Sequence, residues 1–196
     1  MENESEKKVV VPKEQSWGEL VRFAILALLI VIPVRVLVAE PFVVSGSSMV
    51  PTFQNGDYLI VDKISYKLSE PDRDDVIVFV FPDQNKENAK KFLIKRIIGL
   101  PNETVDVRGG TVTVTSKENP EGVVLTEPYI HDQVTSDKHL ELKSDEYFVM
   151  GDNRVASSDS RYWGAVPRKN ITGRAFLRLL PISHIDMWPG DYKQNE

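Results

Sequence analysis

Three segments of the chain hold side chains whose types and spacing could support nucleophilic chemistry. The first is Phe92-Leu93-Ile94-Lys95-Arg96-Ile97-Ile98, apolar on both faces of a predicted strand because successive side chains alternate. Lys95 shares its face with Leu93 and Ile97. Desolvation in such surroundings disfavours an ammonium, lowers its pKa and leaves an amine able to act as a general base. The same pattern also fits a lysine that snorkels at a strand edge. The second segment is Val44-Ser45-Gly46-Ser47-Ser48-Met49-Val50-Pro51-Thr52. Serines and a glycine beside Met-x-Pro read as a loop held by the proline. It could present a hydroxyl nucleophile and backbone N–H groups to an oxyanion, or it could be a plain Ser-rich linker. The third runs from Gly151-Asp152-Asn153-Arg154 through Ser157, Asp159, Ser160 and Arg161 to Tyr162-Trp163-Gly164. Its hydroxyls, carboxylates and arginines suit either a solvated turn or a network that orients a catalytic group.

Composition bounds what else the chain could do. Its 196 residues carry 24 Lys and Arg against 29 Asp and Glu, a formal charge of −5. No polybasic footprint exists for DNA or RNA, so nucleic acid is not an expected partner. Apolar residues make up 41%, enough for a packed core. Cysteine is absent, which excludes disulfides, cysteine nucleophiles and thiolate metal sites. His131, His139 and His184 are scattered and form no HExxH, so neither a metal nor another cofactor is expected.

The elements that must position these residues are mainly strands. Asp57–Val61 follows the turn Gln54-Asn55-Gly56, and Val76–Phe81 is an apolar run ended by Pro82. Phe92–Ile98 is a further strand after a polar loop over Asp83–Lys91. Val105–Arg108 and Thr111–Val114 flank Gly109-Gly110, a two-residue loop with the positive φ that a primed hairpin turn needs. Residues 116–145 read as a polar excursion. Glu146–Met150 and Arg174–Leu180 complete the set, so the domain is predicted as mostly β, built of antiparallel sheets. The triplets Asn102-Glu103-Thr104 and Asn170-Ile171-Thr172 match a glycosylation signal, and such triplets are common by chance.

The N-terminal region reads differently. Residues 1–15 are a polar tail. Ser16-Trp17-Gly18-Glu19 matches a capping box directly before the apolar run Leu20–Ala39. A helix of ~20 residues reaches about 30 Å, the thickness of a hydrocarbon core, so 16–39 is expected to be a transmembrane anchor. A buried core helix and a cleaved leader are the competing readings. Phe23–Ile32 lacks the polar positions of the first, and the run is long for the second, with no small-x-small site directly after it. Lys7, Lys8, Lys13 and Arg22 precede or open the span, whereas Glu40–Val61 carries no Lys or Arg. The positive-inside tendency then puts the N-terminus in the cytoplasm and residues 40–196 outside. Exposed apolar positions near Pro41–Phe42 and Met187–Trp188 could reach the bilayer.

Taken together, the three segments resemble the type I signal peptidases, the membrane-anchored Ser/Lys endopeptidases of peptidase family S26. The resemblance rests on Ser48-Met49-Val50-Pro51-Thr52, on Lys95-Arg96-Ile97-Ile98-Gly99-Leu100-Pro101, and on Gly151-Asp152-Asn153-Arg154 with Ser157, Asp159-Ser160-Arg161 and Tyr162-Trp163-Gly164. Asp75-Val76-Ile77-Val78-Phe79 fits the remaining box. The boxes stand in the family's order behind a span of the right polarity, over Leu20–Ala175. The resemblance implies Ser48 as nucleophile and Lys95 as base, with Ser157 hydrogen-bonded to the lysine amine and Asp159 and Arg161 supporting that loop as a charge pair. It implies an oxyanion donor at the Ser48 N–H. Some members add a serine hydroxyl at the position of Gly46, and here Ser45 or Ser47 would have to serve.

The implied activity is cleavage of secretory preproteins after small residues at −1 and −3, through an acyl-enzyme. Phe42, Val44, Met49, Leu93 and Ile94 are the expected pocket lining. The lipid bilayer is the expected second partner, as a single-pass protein of a bacterial plasma membrane or a related internal membrane such as a thylakoid. Two other functions compete. Self-cleaving repressors share the dyad but not an anchor, and an anchored peptide-binding domain would leave Ser48 and Lys95 as spectators.

Overall fold

A computed structural model describes residues 17–33, 38–82, 91–132 and 136–192. The tail, the Ser16 end of the capping box, Arg35 and the greater part of the loop at 83–91 lie outside the described residues. Helix α1 covers Trp17–Pro33. Its apolar side chains, among them Phe23, Leu26, Leu29 and Ile30, are exposed on every side, which sets aside the reading as a buried core helix. At 17 residues it reaches about 25 Å. Among the described residues no helix is long and apolar enough to cross a membrane. The expected boundary at residue 39 is also corrected, because Ala39 already belongs to a strand, paired with Asp62.

Among the described residues twelve strands follow: β1 Ala39–Val43, β2 Tyr58–Asp62, β3 Val76–Val80, β4 Phe92–Gly99, β5 Thr104–Arg108, β6 Thr111–Thr115, β7 Val123–Val124, β8 Lys138–Glu141, β9 Glu146–Met150, β10 Val166–Pro167, β11 Ile171–Leu180 and β12 Asp186–Met187. Two four-residue helices, α2 at Ser65–Leu68 and α3 at Ser160–Trp163, interrupt them. Every pairing is antiparallel. The large sheet runs β1-β2-β11-β3-β4-β9-β10, with β12 on β11, and a four-stranded sheet runs β7-β6-β5-β8. The mostly β, antiparallel expectation therefore holds. The hairpin of β5 and β6 turns through Gly109 and Gly110, at φ 55 and 87, as a primed turn requires.

The central strand β4 explains where the reactive residues stand. Ile97 packs with Ile77, Phe79, Tyr147, Val149 and Val166. Ile98 packs with Phe148, Met150 and the inward valines of β5 and β6, which attaches the small sheet. Ile94 packs on the cluster of Val44, Met49, Phe53, Leu59, Val76 and Ala175. One strand thus enters three apolar clusters, and Lys95 and Arg96 lie between its anchoring isoleucines. Burying such a side chain stabilises by roughly 1.5–3 kcal/mol, so the backbone at residue 95 has little freedom.

The long strand β11 shifts register against β3 between Ile171 and Gly173. A Cβ on Gly173 would stand 2.1 Å from the Asp62 carbonyl oxygen. That neighbour is backbone and cannot swing away. Gly173→Ala is expected to destabilise the fold by about 1–3 kcal/mol, read as a lower urea midpoint with an unchanged slope. An unchanged midpoint would contradict this packing.

Candidate active site

Ser48 and Lys95 meet across 47 positions of sequence. Lys95 Nζ donates to Ser48 Oγ at 2.6 Å and to the Ile94 carbonyl at 2.9 Å. Ser48 stands on the loop after β1. Two deeply buried side chains, Met49 and Phe53, plug that loop into the Val44–Ala175 cluster. Turn bonds from Val50 N–H to the Ser47 carbonyl and from Phe53 N–H to the Met49 carbonyl close it.

Lys95 retains only 3% exposure. Burial pulls its pKa from 10.5 down to about 8, while the carboxylates of Asp159 and Asp152 draw it partly back up. The desolvation expected from its apolar neighbours therefore dominates, and an edge lysine with its head in water is ruled out.

The segment 151–164 wraps this pair. Asp159 and Arg161 form the expected charge pair, both nearly inaccessible, with Arg161 Nε to Asp159 Oδ1 at 2.8 Å and Nη2 to Oδ2 at 2.9 Å. Asp159 also caps α3 and accepts from Gly151 N–H at 3.1 Å. Arg161 Nη2 donates to the Arg154 carbonyl at 2.8 Å. Ser157 is a correction. Among the described residues its buried Oγ has no hydrogen-bond partner, and the lysine amine donates to the Ile94 carbonyl and not to that hydroxyl. Ser157 packs instead over Gly151. A Cβ there would stand 2.3 Å from Ser157 Oγ and 2.3 Å from the Ser48 carbonyl oxygen, so only glycine lets the segment approach the nucleophile loop this closely.

Several residues escaped the sequence reading. Arg96 and Asp152 form a bidentate pair at 2.9 and 2.7 Å, each side chain about 1% exposed. Arg96 Nη1 also donates to the carbonyls of Asp74 and Gly190, and its guanidinium lies 4.0 Å from the centre of the Tyr129 ring. Thr52 of the nucleophile loop donates to Asp152. Asn153 holds the same loop, from its N–H to the Ser48 carbonyl at 3.0 Å and from Nδ2 to the Ser47 carbonyl at 3.1 Å. Arg154 pairs with Glu127, with Nη1 to Oε2 at 3.0 Å. The polar excursion thus supplies Glu127 and Tyr129 to the segment around the site. The available signal was the density of carboxylates and arginines at 152–161, which names no partner by itself.

Beside Ser48 and Lys95 lies a cleft of about 100 Å³ lined by Phe42, Val43, Val44, Ser45, Leu59, Val78, Phe92, Leu93 and Ile94. Four of the five expected lining residues are there. Met49 is not, because its side chain is 1% exposed and sits in the core. The rings of Phe42 and Phe92 meet at 5.1 Å. Ser45 lines the cleft and Ser47 does not. Trp188 is half-buried, set edge-on against Phe176 at 4.8 Å and under Arg174, so it is not a free apolar probe. Among the described residues no group of His, Asp and Glu is placed to hold a metal.

Three comparisons with known proteins bear on this geometry. Residues 17–180 match the family described as signal peptidase, peptidase S26. A probable signal peptidase I-2 of Synechocystis is 40% identical over 190 residues, covering 96% of this chain and 84% of that protein. Signal peptidase I of Leptolyngbya laminosa is 40% identical over 164 residues, covering 82% and 78%. A crystal structure of a signal peptidase I from Enterococcus faecalis aligns with a TM-score of 0.43 at 31% identity, over 54% of this chain and 97% of that one.

With Lys95 as the base, a pKa lowered by burial to about 8 predicts the pH profile of the site. Below that value the Lys95 ammonium keeps its proton and cannot accept one from Ser48; above it the amine is free. Activity on a peptide substrate is expected to rise through pH of about 8 and then level off. A rise delayed to the ordinary lysine range near ~10.4 would contradict a desolvated Lys95.

Proposed function

The chain belongs to the signal peptidase family, peptidase S26, and from that premise we propose that Ser48 is its nucleophile and Lys95 its general base. Members of the family are serine endopeptidases that remove signal peptides, and this chain is one of them. The observation that carries the assignment is the 2.6 Å contact between the buried Lys95 Nζ and Ser48 Oγ at the edge of the cleft.

In the neutral amine the contact reverses, with the Ser48 hydroxyl donating to the Nζ lone pair. Lys95 takes that proton as Oγ adds to the scissile carbonyl carbon. The Ser48 N–H faces the developing oxyanion, and Ser45 is the neighbouring serine that shares the cleft. The Lys95 ammonium then protonates the departing nitrogen, the C–N bond breaks, and an ester on Ser48 remains. Water adds to that ester with Lys95 again as base. The acid leaves, and Oγ recovers its proton. Asp159 and Arg161 hold the segment behind the lysine, and Ser157 fills the space over Gly151.

Small side chains at −1 and −3 fit the cleft. Its volume is about 100 Å³. Phe42, Val44, Leu93 and Ile94 are the lining that selects them. The domain organisation follows the same reading: a cytoplasmic tail over 1–15, an anchor that begins with α1, and an extracytoplasmic peptidase domain from the first strand onward. The apolar surface all round α1 supports the anchor, since lipid is the solvent that would cover it. The bilayer and the secretory preproteins are then the two partners.

Cleavage of a preprotein whose leader ends in Ala-x-Ala tests the dyad. Ser48→Ala and Lys95→Ala are each expected to lose at least about a thousandfold in kcat while melting as the wild type does. Cleavage that survives Ser48→Ala would remove Ser48 as nucleophile. The anchor is tested by alkaline extraction of membranes. The full chain is expected in the pellet and a chain lacking residues 1–33 in the supernatant; full-length protein in the supernatant would exclude a spanning helix.

A further inference from the structure

Asn153 holds two successive peptide units of the nucleophile loop. Its backbone N–H donates to the Ser48 carbonyl and its side-chain Nδ2 to the Ser47 carbonyl. The Ser47–Ser48 peptide is trans, so its carbonyl and its N–H point in opposite directions. The Ser47 oxygen, which also accepts from the Val50 N–H at 3.2 Å, is thereby held toward Asn153, and the Ser48 N–H is turned to the opposite side of that peptide. An amide whose oxygen accepts a hydrogen bond is also a stronger donor at its nitrogen. The asparagine itself is anchored, because its Oδ1 accepts from the Ala156 N–H at 3.1 Å, which fixes the amide with Nδ2 toward the loop.

We infer that Asn153 is a positioning residue for the oxyanion donor: through the Ser47 carbonyl it orients and polarises the Ser48 N–H. The inference rests on Ser48 being the nucleophile, as proposed above. Asn153 touches neither the substrate nor the reacting atoms. Its effect falls on the transition state, because the charge it helps to stabilise exists only there.

The test uses the detergent-solubilised full chain, a peptide with an Ala-x-Ala junction, and a boronate of the same sequence that forms a tetrahedral adduct on a serine oxygen. Asn153→Ser keeps a side-chain oxygen to accept from Ala156 N–H but is too short to reach Ser47, and Asn153→Ala removes both bonds. The backbone bond to Ser48 survives in either. Loss of a whole oxyanion donor costs about 10²–10³ in kcat. A donor that is misaimed but still present is expected to cost about 10–100-fold in both variants, with KM within about twofold. Boronate affinity, taken relative to that of the released leader peptide, should fall by the same factor, and the pH at which activity rises should not move.

Three results would overturn the inference. One is an unchanged kcat and affinity ratio in Asn153→Ser, including a loss confined to Asn153→Ala, which would assign the effect to turn closure. Another is a lower kcat with an unchanged affinity ratio, which marks a smaller folded fraction. The third is a displaced pH profile, which would place Asn153 on Lys95. A wild type that does not cleave, or a Ser48→Ala variant that does, fails the nucleophile assignment instead.

Discussion

A guanidinium at about 1% exposure cannot remain in a protein interior without full compensation, and Arg96 is the residue on which the rest of this structure depends. Its two parallel bonds to Asp152 join the central strand to the Gly151–Arg154 segment. Two further donations, to the carbonyls of Asp74 and Gly190, bring in the turn before β3 and the end of the chain. Tyr129 covers the guanidinium face, and Thr52 brings the nucleophile loop onto the same carboxylate. Removing one member of a buried pair typically costs about 3–5 kcal/mol, because the other charge is stranded. Six segments distant in sequence therefore share one electrostatic requirement, and two of them, β4 and the nucleophile loop, carry Lys95 and Ser48.

The neighbouring position shows the opposite solution. Lys95 is one residue away on the same strand and is almost equally buried, yet no carboxylate contacts its amine. Arg96 keeps its charge because it is paired. Lys95 gives up its proton more readily because it is not. Guanidinium cannot deprotonate in a protein and ammonium can, so exchanging the two residue types would forfeit both functions. The charge pair of Asp159 and Arg161 serves the same division. Arg161 occupies both carboxylate oxygens, and its positive charge offsets the pull by which Asp159 favours the Lys95 ammonium.

Much of the fold was legible in local pattern. The alternation of apolar residues marks β2, β4 and β9 to within a residue or so, and Gly109-Gly110 marks the hairpin. The apolar run read as one element to Ala39 in fact passes into β1, because the strand begins with an apolar residue and its own polar position, Glu40, comes one residue later. Lys95 was legible as a candidate base from Leu93 and Ile97 alone. Ser48 was not distinguishable from Ser45 or Ser47 until the motif as a whole was considered. Met49 was read as pocket lining and is core, since a methionine looks the same in either place. The pairing of Arg96 with Asp152, of Arg154 with Glu127 and of Asn153 with Ser47 had no local signal. Each joins residues far apart in sequence, and charge patterning shows that partners are required without saying where they are.

The shortness of the chain between α1 and the cleft has a kinetic consequence. Pro33 ends the helix and Phe42 already lines the cleft, so the proposed placement of α1 in the bilayer would leash Ser48 and Lys95 close to the membrane surface. A leader peptide held in the same bilayer is then encountered in two dimensions, at an effective concentration set by the leash instead of by the volume of the compartment. A weak fit to any one leader suffices under those conditions. A cleft that recognises little beyond small side chains can therefore serve many preproteins, while soluble proteins with the same short sequence seldom meet it.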